Sequence, residues 1–514
     1  MKNRFLLILL PLLFSLSSCN FSPSKNDDSS EKNNDNNGEN KGNDGDKKDD
    51  ITEHDPMKIT EDYEKVDTTK LIKWDEAQSS LRSGTKTLDF YNLNDTHGAT
   101  ENVESSNEPG ISKLSTFLKN KKTENKDGFI FTSTGDMWQG SADSNITRGR
   151  LVTEWMNHLE CSAMALGNHE FDWELNTIVK NDKMANFDYL ACNIIDTKTN
   201  KEVDWVKPFT TETKNGVNIG YIGAIGEGIT SSILASNVKG LKFDKIDNYV
   251  TKWSSYLKEN GADVVVLLLH DEVSKAADLV SKNVVDAVFC GHTHTVENLY
   301  RNGVYSIQAG SNGQYVGHIS LNYDFSSKTV SSLKGEVIGM SDYFLEKDQA
   351  TEDIYQKYLV NEINAVKNEV VGYTSTKLSK SKVIELLLKY MYKYYQDEIH
   401  EPNIDIFRVT HNNARSEIPA GNITYGAIYK ALPFDNYLSI IKKKGSKFSY
   451  DDYGTHYYPN GSSTDPNKYY YCLTMNYISE YEHTDDDYTI EKNYLDVFMR
   501  DIFKKYVGND YPKK

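Results

Sequence analysis

The chain has 514 residues, with 58 basic against 75 acidic side chains and a formal net charge of −17. An acidic excess of this size argues against a protein built to hold nucleic-acid polymers or anionic membrane surfaces. A small anionic ligand stays open, because a bound cation inverts the field locally.

In chain order, Lys2 and Arg4 precede an apolar run over 5–14 that is too short to span a bilayer comfortably. Small residues follow, ending in Leu16-Ser17-Ser18-Cys19. Residues 1–18 therefore read as a secretory signal. Its ending resembles a bacterial lipobox, which implies that Cys19 is lipidated and the protein is held on the extracellular face of the cell membrane. The plainer alternative is an ordinary cleaved signal with an incidental cysteine. Residues 20–55 are almost entirely Asn, Asp, Lys, Ser, Gly and Glu. Such a stretch cannot bury enough surface to offset its ordering entropy, so 19–85 is expected to be a disordered tether and lead-in. Beyond Cys19 the cysteines are Cys161, Cys192, Cys290 and Cys472. They read as buried thiols, or as one disulfide whose pairing the sequence does not choose.

The remaining residues exceed one compact core and divide into two bodies. The first, 86–345, alternates strand-like with helical runs. Strands are predicted at 88–93, 129–132, 163–166, 189–195, 217–225, 264–269, 287–290, 305–309 and 318–323, and helices at 111–118 and 249–257. This is an α/β pattern. A helical connector follows over 346–371. The second body, 372–514, opens with a helical run at 383–398 and then becomes rich in tyrosine and loops.

Five short motifs sit just past strand-like runs of the first body, where ligands bind in open α/β sheets. They are Asn94-Asp95-Thr96-His97-Gly98, Gly135-Asp136, Gly167-Asn168-His169-Glu170, the lone His270, and Gly291-His292-Thr293-His294. Asp95 and His97 share a side on extended backbone, as do His292 and His294. Asp136 offers two oxygens that could bridge two cations, and Asn168 offers a carbonyl oxygen. Singly these are weak signals, and a lone His270 is more often a satisfied structural histidine. Together they are a mixed oxygen and imidazole set that suits Zn, Mn, Fe or Co rather than a thiolate site. Two such metals a few Å apart suit phosphoester hydrolysis.

On these motifs the chain resembles the secreted bacterial 5′-nucleotidases and 2′,3′-cyclic phosphodiesterases of the calcineurin-like metallophosphoesterase superfamily. Gln139-Gly140-Ser141, Phe171-Asp172 and Gln308-Ala309-Gly310-Ser311-Asn312-Gly313 extend the match over nearly all of 88–321. The resemblance implies a four-layer α/β sandwich, two β-sheets flanked by helices, with a C-terminal α+β substrate-binding domain. It also implies two divalent metal ions. One would be held by Asp95, His97 and His294, the other by Asn168, His270 and His292, with Asp136 bridging. His169 would contact the phosphate and assist the leaving oxygen, with Asp172 holding its ring charged. The plainer role for Asp172 is a carboxylate at a helix N-terminus. No side chain is placed to be a covalent nucleophile, so direct attack by metal-activated water is expected.

The second body resembles the family's substrate domain in Arg415-Ser416-Glu417-Ile418-Pro419-Ala420-Gly421-Asn422-Ile423-Thr424-Tyr425-Gly426 and in Leu432-Pro433-Phe434-Asp435-Asn436. Arg415 stands where the family clamps phosphate, a task suited to a bidentate guanidinium. Tyr477 stands near a base-stacking position. The departures are His411-Asn412-Asn413-Ala414 in place of a glycine-rich stretch, Lys382 in place of an arginine, a short 436–469 segment, and Thr484-Asp485-Asp486-Asp487-Tyr488. The expectation is a cell-surface phosphohydrolase acting on a small phosphoester, in the first place a nucleotide. The alternatives are the same chemistry on 2′,3′-cyclic nucleotides or nucleotide-sugars, and a binding lipoprotein without turnover.

Overall fold

The computed structural model describes residues 55–448, 454–481 and 487–514. The signal, Cys19 and most of the expected tether lie outside the described residues, as does Thr484-Asp485-Asp486. No helix among the described residues is long and apolar enough to cross a membrane.

Two six-stranded sheets form the first body. In chain order its strands are β1 (Thr85–Leu93), β2 (Phe129–Ser133), β3 (Ala163–Ala165), β4 (Asp188–Leu190), β5 (Phe209–Lys214), β6 (Val217–Ile225), β7 (Val264–His270), β8 (Ala287–Cys290), β9 (Val296–Arg301), β10 (Val304–Ala309), β11 (Tyr315–Asp324) and β12 (Thr329–Gly339). The first sheet runs β12-β11-β1-β2-β3-β4, with β1 to β4 parallel. The second runs β9-β10-β8-β7-β6-β5, parallel through β10, β8, β7 and β6.

The apolar patterning explains the layering. β7 is apolar from Val264 to Leu269 because both faces are covered. Val264, Val266 and Leu268 enter the core between the sheets, beside Leu88, Phe90, Ile219 and Phe289. Val265, Leu267 and Leu269 pack beneath the helix Ile246–Glu259. On the far side, the helices Gly110–Glu124, Arg150–His158 and Leu175–Met184 cover the first sheet through Leu114, Phe117, Leu151, Trp155 and Ile178. Helix, sheet, sheet and helix make the four layers.

The run expected as one strand over 189–195 is two. β4 ends at Leu190, and Ile194–Asp196 joins a separate small sheet with Lys201–Glu202 and Leu241–Phe243. The cause is Asn193. Its amide donates to the Ile225 and Asp244 carbonyls, both at 2.7 Å, and accepts from the Ile225 N–H, so the chain is drawn out of the first sheet. In the two six-stranded sheets, three strands escaped the sequence reading: β5, β9 and β12, all outermost and polar in sequence. The lead-in from 55 is not loose. Met57 and Ile59 pack on one core and Leu71 and Ile72 on another. Arg82 makes a two-pronged ion pair with Asp263 at 2.8 and 3.0 Å.

The connector is helical from Gln349 to Lys367 and then becomes a strand, Val370–Thr374. Its Tyr355, Tyr358 and Ile363 belong to the core of the first body. The second body has its own core and two sheets. Val370–Thr374 pairs with Gly421–Thr424, and the larger sheet orders Thr455–Tyr457, Ile406–His411, Tyr469–Met475, Tyr437–Lys444 and Tyr488–Phe498. The helices Lys380–Tyr394 and Met499–Asp510 pack against it. Cys161, Cys192, Cys290 and Cys472 are all buried, and none is in a disulfide among the described residues.

Candidate metal centre

The loops after β1, β2, β3, β7 and β8 meet at one end of the sandwich. Asp95, His97, Asp136, His292 and His294 all have positive φ, between 49° and 75°. Side chains with a Cβ rarely adopt this conformation, and it is tolerated where the surroundings over-determine it. Those surroundings are visible. Asn94 donates to Asp95 and to the Gly310 carbonyl, both at 2.7 Å, and accepts from the Ala309 N–H, tying the first loop to β10. Asp95 in turn accepts the His292 N–H at 2.9 Å. Gly167 is obligatory, because a Cβ there would lie 2.3 Å from Asp136 Oδ1.

Among the described residues the donor atoms converge in three groups linked through His97 and Asp136. They are Asp95, His97 and His294; His97, Asp136 and His169; and Asp136, His270 and His292, each with its ligand atoms within 4.8 Å of one another. His97 Nε2 lies 2.9 Å from His294 Nε2, and Asn168 Oδ1 lies 3.0 Å from His270 Nε2 and 2.9 Å from His292 Nδ1. Asp136 Oδ2 is 3.2 Å from His270 Nε2. His97 Nδ1 sits 3.0 Å from the Gln139 carbonyl and His270 Nδ1 2.7 Å from that of Thr134. With a cation bound, those carbonyls would accept the Nδ1 protons and leave each Nε2 to face the ion, the usual arrangement behind metal-binding imidazoles. Lone pairs aimed at one another repel unless a cation lies between them. The set therefore fits divalent cations. Burial opposes ionisation of Asp136, but the His270 and His169 imidazoles outweigh it and hold the carboxyl well below its usual range.

His169 stands beside this cluster. Its Nδ1 donates to Asp172 Oδ2 at 2.6 Å, and its backbone N–H donates to Asp136 Oδ1 at 2.8 Å. Burial alone would lower its pKa, but the Asp172 and Asp136 carboxylates push it up to about 9. Divalent cations nearby would act against that rise. One functional residue was present in the motif without a role, Glu170. Fully buried, its carboxylate accepts the N–H groups of Gly167 at 2.7 Å and of Asp136 and Met137 at 2.9 Å. It clamps the loop carrying Asp136 to the loop carrying Asn168. Only the tertiary meeting of two loops reveals this, so no local pattern could have signalled it.

The cluster floors a cleft of about 760 Å³ whose opposite wall is the second body. Arg415, Phe434 and Tyr477 line that wall, with Asn412 and Asn413 in the positions of the missing glycines. The Arg415 guanidinium lies 5.2 Å from the Phe434 ring centre, and that ring stacks on His169 at 5.7 Å. Tyr477 donates its hydroxyl to the Ser231 carbonyl at 3.0 Å. Lys382 does not line the cleft; it is ion-paired to Glu385 at 3.0 Å. The Phe434 loop is fastened from both bodies: Asp435 pairs with Arg148 at 2.5 Å and with Arg500, and Asn145 donates to the Pro433 carbonyl at 2.7 Å.

Residues 88–296 match the family model for calcineurin-like phosphoesterases. The chain shares its fold with a 5′-nucleotidase precursor from Thermus thermophilus at TM-score 0.66 and 19% identity, covering 83% of this chain and 97% of the other. By sequence it is similar to endonuclease YhcR of Bacillus subtilis, 23% identical over 365 residues, or 64% of this chain and 29% of that protein. It is also similar to an apyrase of Tabanus yao, 24% identical over 370 residues, or 65% of this chain and 66% of the apyrase. The chain thus spans less than a third of the endonuclease and just under two thirds of the apyrase.

Proposed function

We propose that the protein is a metal-dependent phosphohydrolase of the 5′-nucleotidase kind, which releases phosphate from nucleotides, and that Cys19 anchors it by lipid to the outer face of the cell membrane. The observation that carries the hydrolase reading is the convergence of imidazole, amide and carboxylate donors on the floor of a cleft with Arg415 on its far wall. The fold shared with a 5′-nucleotidase supports the substrate class. The sequence Leu16-Ser17-Ser18-Cys19 supports the anchor.

Asp95, His97 and His294 would hold one divalent cation and Asn168, His270 and His292 the other, with Asp136 shared between them. When bound, such cations neutralise charge on the phosphoryl group and provide a nucleophile at neutral pH. The chain's own residues do the rest. Asp172 fixes the Nδ1 proton of His169, which leaves Nε2–H as the donor toward the leaving oxygen. Arg415 grips the phosphate from the second body, and Phe434 covers the imidazole face and keeps water from it. Purified protein reconstituted in turn with Mn, Zn and Co should hydrolyse nucleoside monophosphates faster than a 2′,3′-cyclic nucleotide, a nucleotide-sugar or an aryl phosphate. Metal-replete protein inert toward all four would overturn the reading.

A second reading, the same chemistry on another small phosphoester, is favoured by Asn412 and Asn413 on the cleft wall and by Lys382 lying away from it. The same panel separates the two.

A further inference from the structure

β9 (Val296–Arg301) is the outermost strand of the second sheet, and no described strand pairs with its other edge. All six of its residues are exposed, and Val296, Leu299 and Tyr300 are among the large apolar side chains left in water. A free edge of this kind is a template for another strand unless charge, proline or a bulge blunts it. β9 has no proline, and its register with β10 (Val304–Ala309) is unbroken. It carries one acid, Glu297, and one base, Arg301.

The hairpin fixes which backbone groups face out. Asn302 and Gly303, with φ of 51° and 83°, form the two-residue turn, and Arg301 stands opposite Val304. Gly310 donates its N–H to the Thr295 carbonyl at 2.9 Å. Thr295, Glu297, Leu299 and Arg301 therefore direct their backbone groups to β10, while Val296, Asn298 and Tyr300 direct theirs away from the sheet.

We propose that β9 pairs antiparallel with β9 of a second copy of this chain, about a two-fold axis at Leu299. In that register Asn298 exchanges backbone hydrogen bonds with the partner's Tyr300. Leu299 faces the partner's Leu299 in a non-hydrogen-bonded pair, where side chains approach most closely. Glu297 faces the partner's Arg301, and symmetry makes that ion pair twice. An axis at Asn298 would instead set Glu297 against leucine and Arg301 against threonine, so the charges select one register. The Thr295 hydroxyl, 2.8 Å from Glu297, steadies the carboxylate on the strand. Arg301 makes no ion pair among the described residues.

The test is sedimentation velocity on the full chain over a concentration series, with thermal melts to check that each variant is folded. The wild type should associate reversibly to a dimer. Glu297→Arg and Arg301→Glu should each weaken association roughly tenfold, since each replaces two opposite-charge pairs by like-charge pairs. The double variant should recover it, because the exchanged charges again face each other. In a Cys19→Ser background, mild oxidation should cross-link Leu299→Cys across the axis, where Cα atoms about 4.5–5.5 Å apart suit a disulfide, and should leave Tyr300→Cys without a cross-link. A wild type that stays monomeric throughout, a dimer indifferent to both single reversals, a double variant that does not recover, or equal cross-linking at 299 and 300 would each overturn the proposal.

Discussion

Five of the seven proposed ligand residues sit at positive φ, at a cost on the order of 1–3 kcal/mol each, so the centre is held in place by its neighbours. Glu170 is the chief of these, with three backbone donors on one carboxylate. Glu170→Gln turns one acceptor into a donor facing N–H groups, and a loss of about 2–4 kcal/mol is expected, read by denaturant unfolding, together with weaker metal retention. Asp136→Asn removes the shared anion, so metal analysis of the pure variant should find less of both metals. Wild-type content would take Asp136 out of the bridging role. His169→Ala should keep its metals and lose roughly a hundredfold or more in kcat. At this scale the ligands were legible because strand-end spacing preserves them in sequence. Asn94 and Glu170 were visible as letters of motifs, yet their work is done on loops distant in the chain.

Elements decide how the second body meets the first. The loop carrying Phe434 is set by Asp435, which burial would keep protonated but which Arg500 and Arg148 hold below the usual carboxylate range. A carboxyl whose folded pKa is depressed adds stability above its unfolded value, 3.8, and loses it as pH falls below that toward the folded value. Asp435→Asn leaves Arg500 buried without its anion, so about 3–5 kcal/mol should be lost at pH 7. The melting-temperature gap between wild type and variant should narrow below pH 3.8. A gap that widens on acidification would show that Asp435 does not act through its charge. Arg415→Ala should raise KM for a nucleotide, with Arg415→Lys restoring it in part because an ammonium lacks the bidentate fork. Unchanged kinetics would remove Arg415 from the substrate site. Buried elements such as β7 were plain in the sequence, since both their faces are apolar. The outer strands β5, β9 and β12 were not, because an edge in water needs no apolar face. The break after Leu190 was hidden because it depends on the amide of Asn193 reaching Ile225 and Asp244.

Across the whole molecule, the lead-in packs on the first body and the connector leads to the second, and the lipid is expected at the far end of the polar segment that precedes them. Cys19→Ser should release the protein from the membrane fraction on detergent partitioning, since only a thiol forms the thioether; retention would end the lipobox reading. The ligands themselves are divided between the sheets: Asp95, Asp136 and Asn168 leave the ends of β1, β2 and β3, whereas His270, His292 and His294 leave β7 and β8. Neither sheet owns a complete site. Removing metal should therefore lower the melting temperature, and restoring it to a hundredfold above its Kd should return about 2.7 kcal/mol. An unfolded chain, by the same division, offers no assembled cage for any ion to occupy. A centre of this kind would be filled from whatever pool of metal surrounds the polypeptide at the moment its halves close, so the place of folding, as much as ligand chemistry, would select the ion.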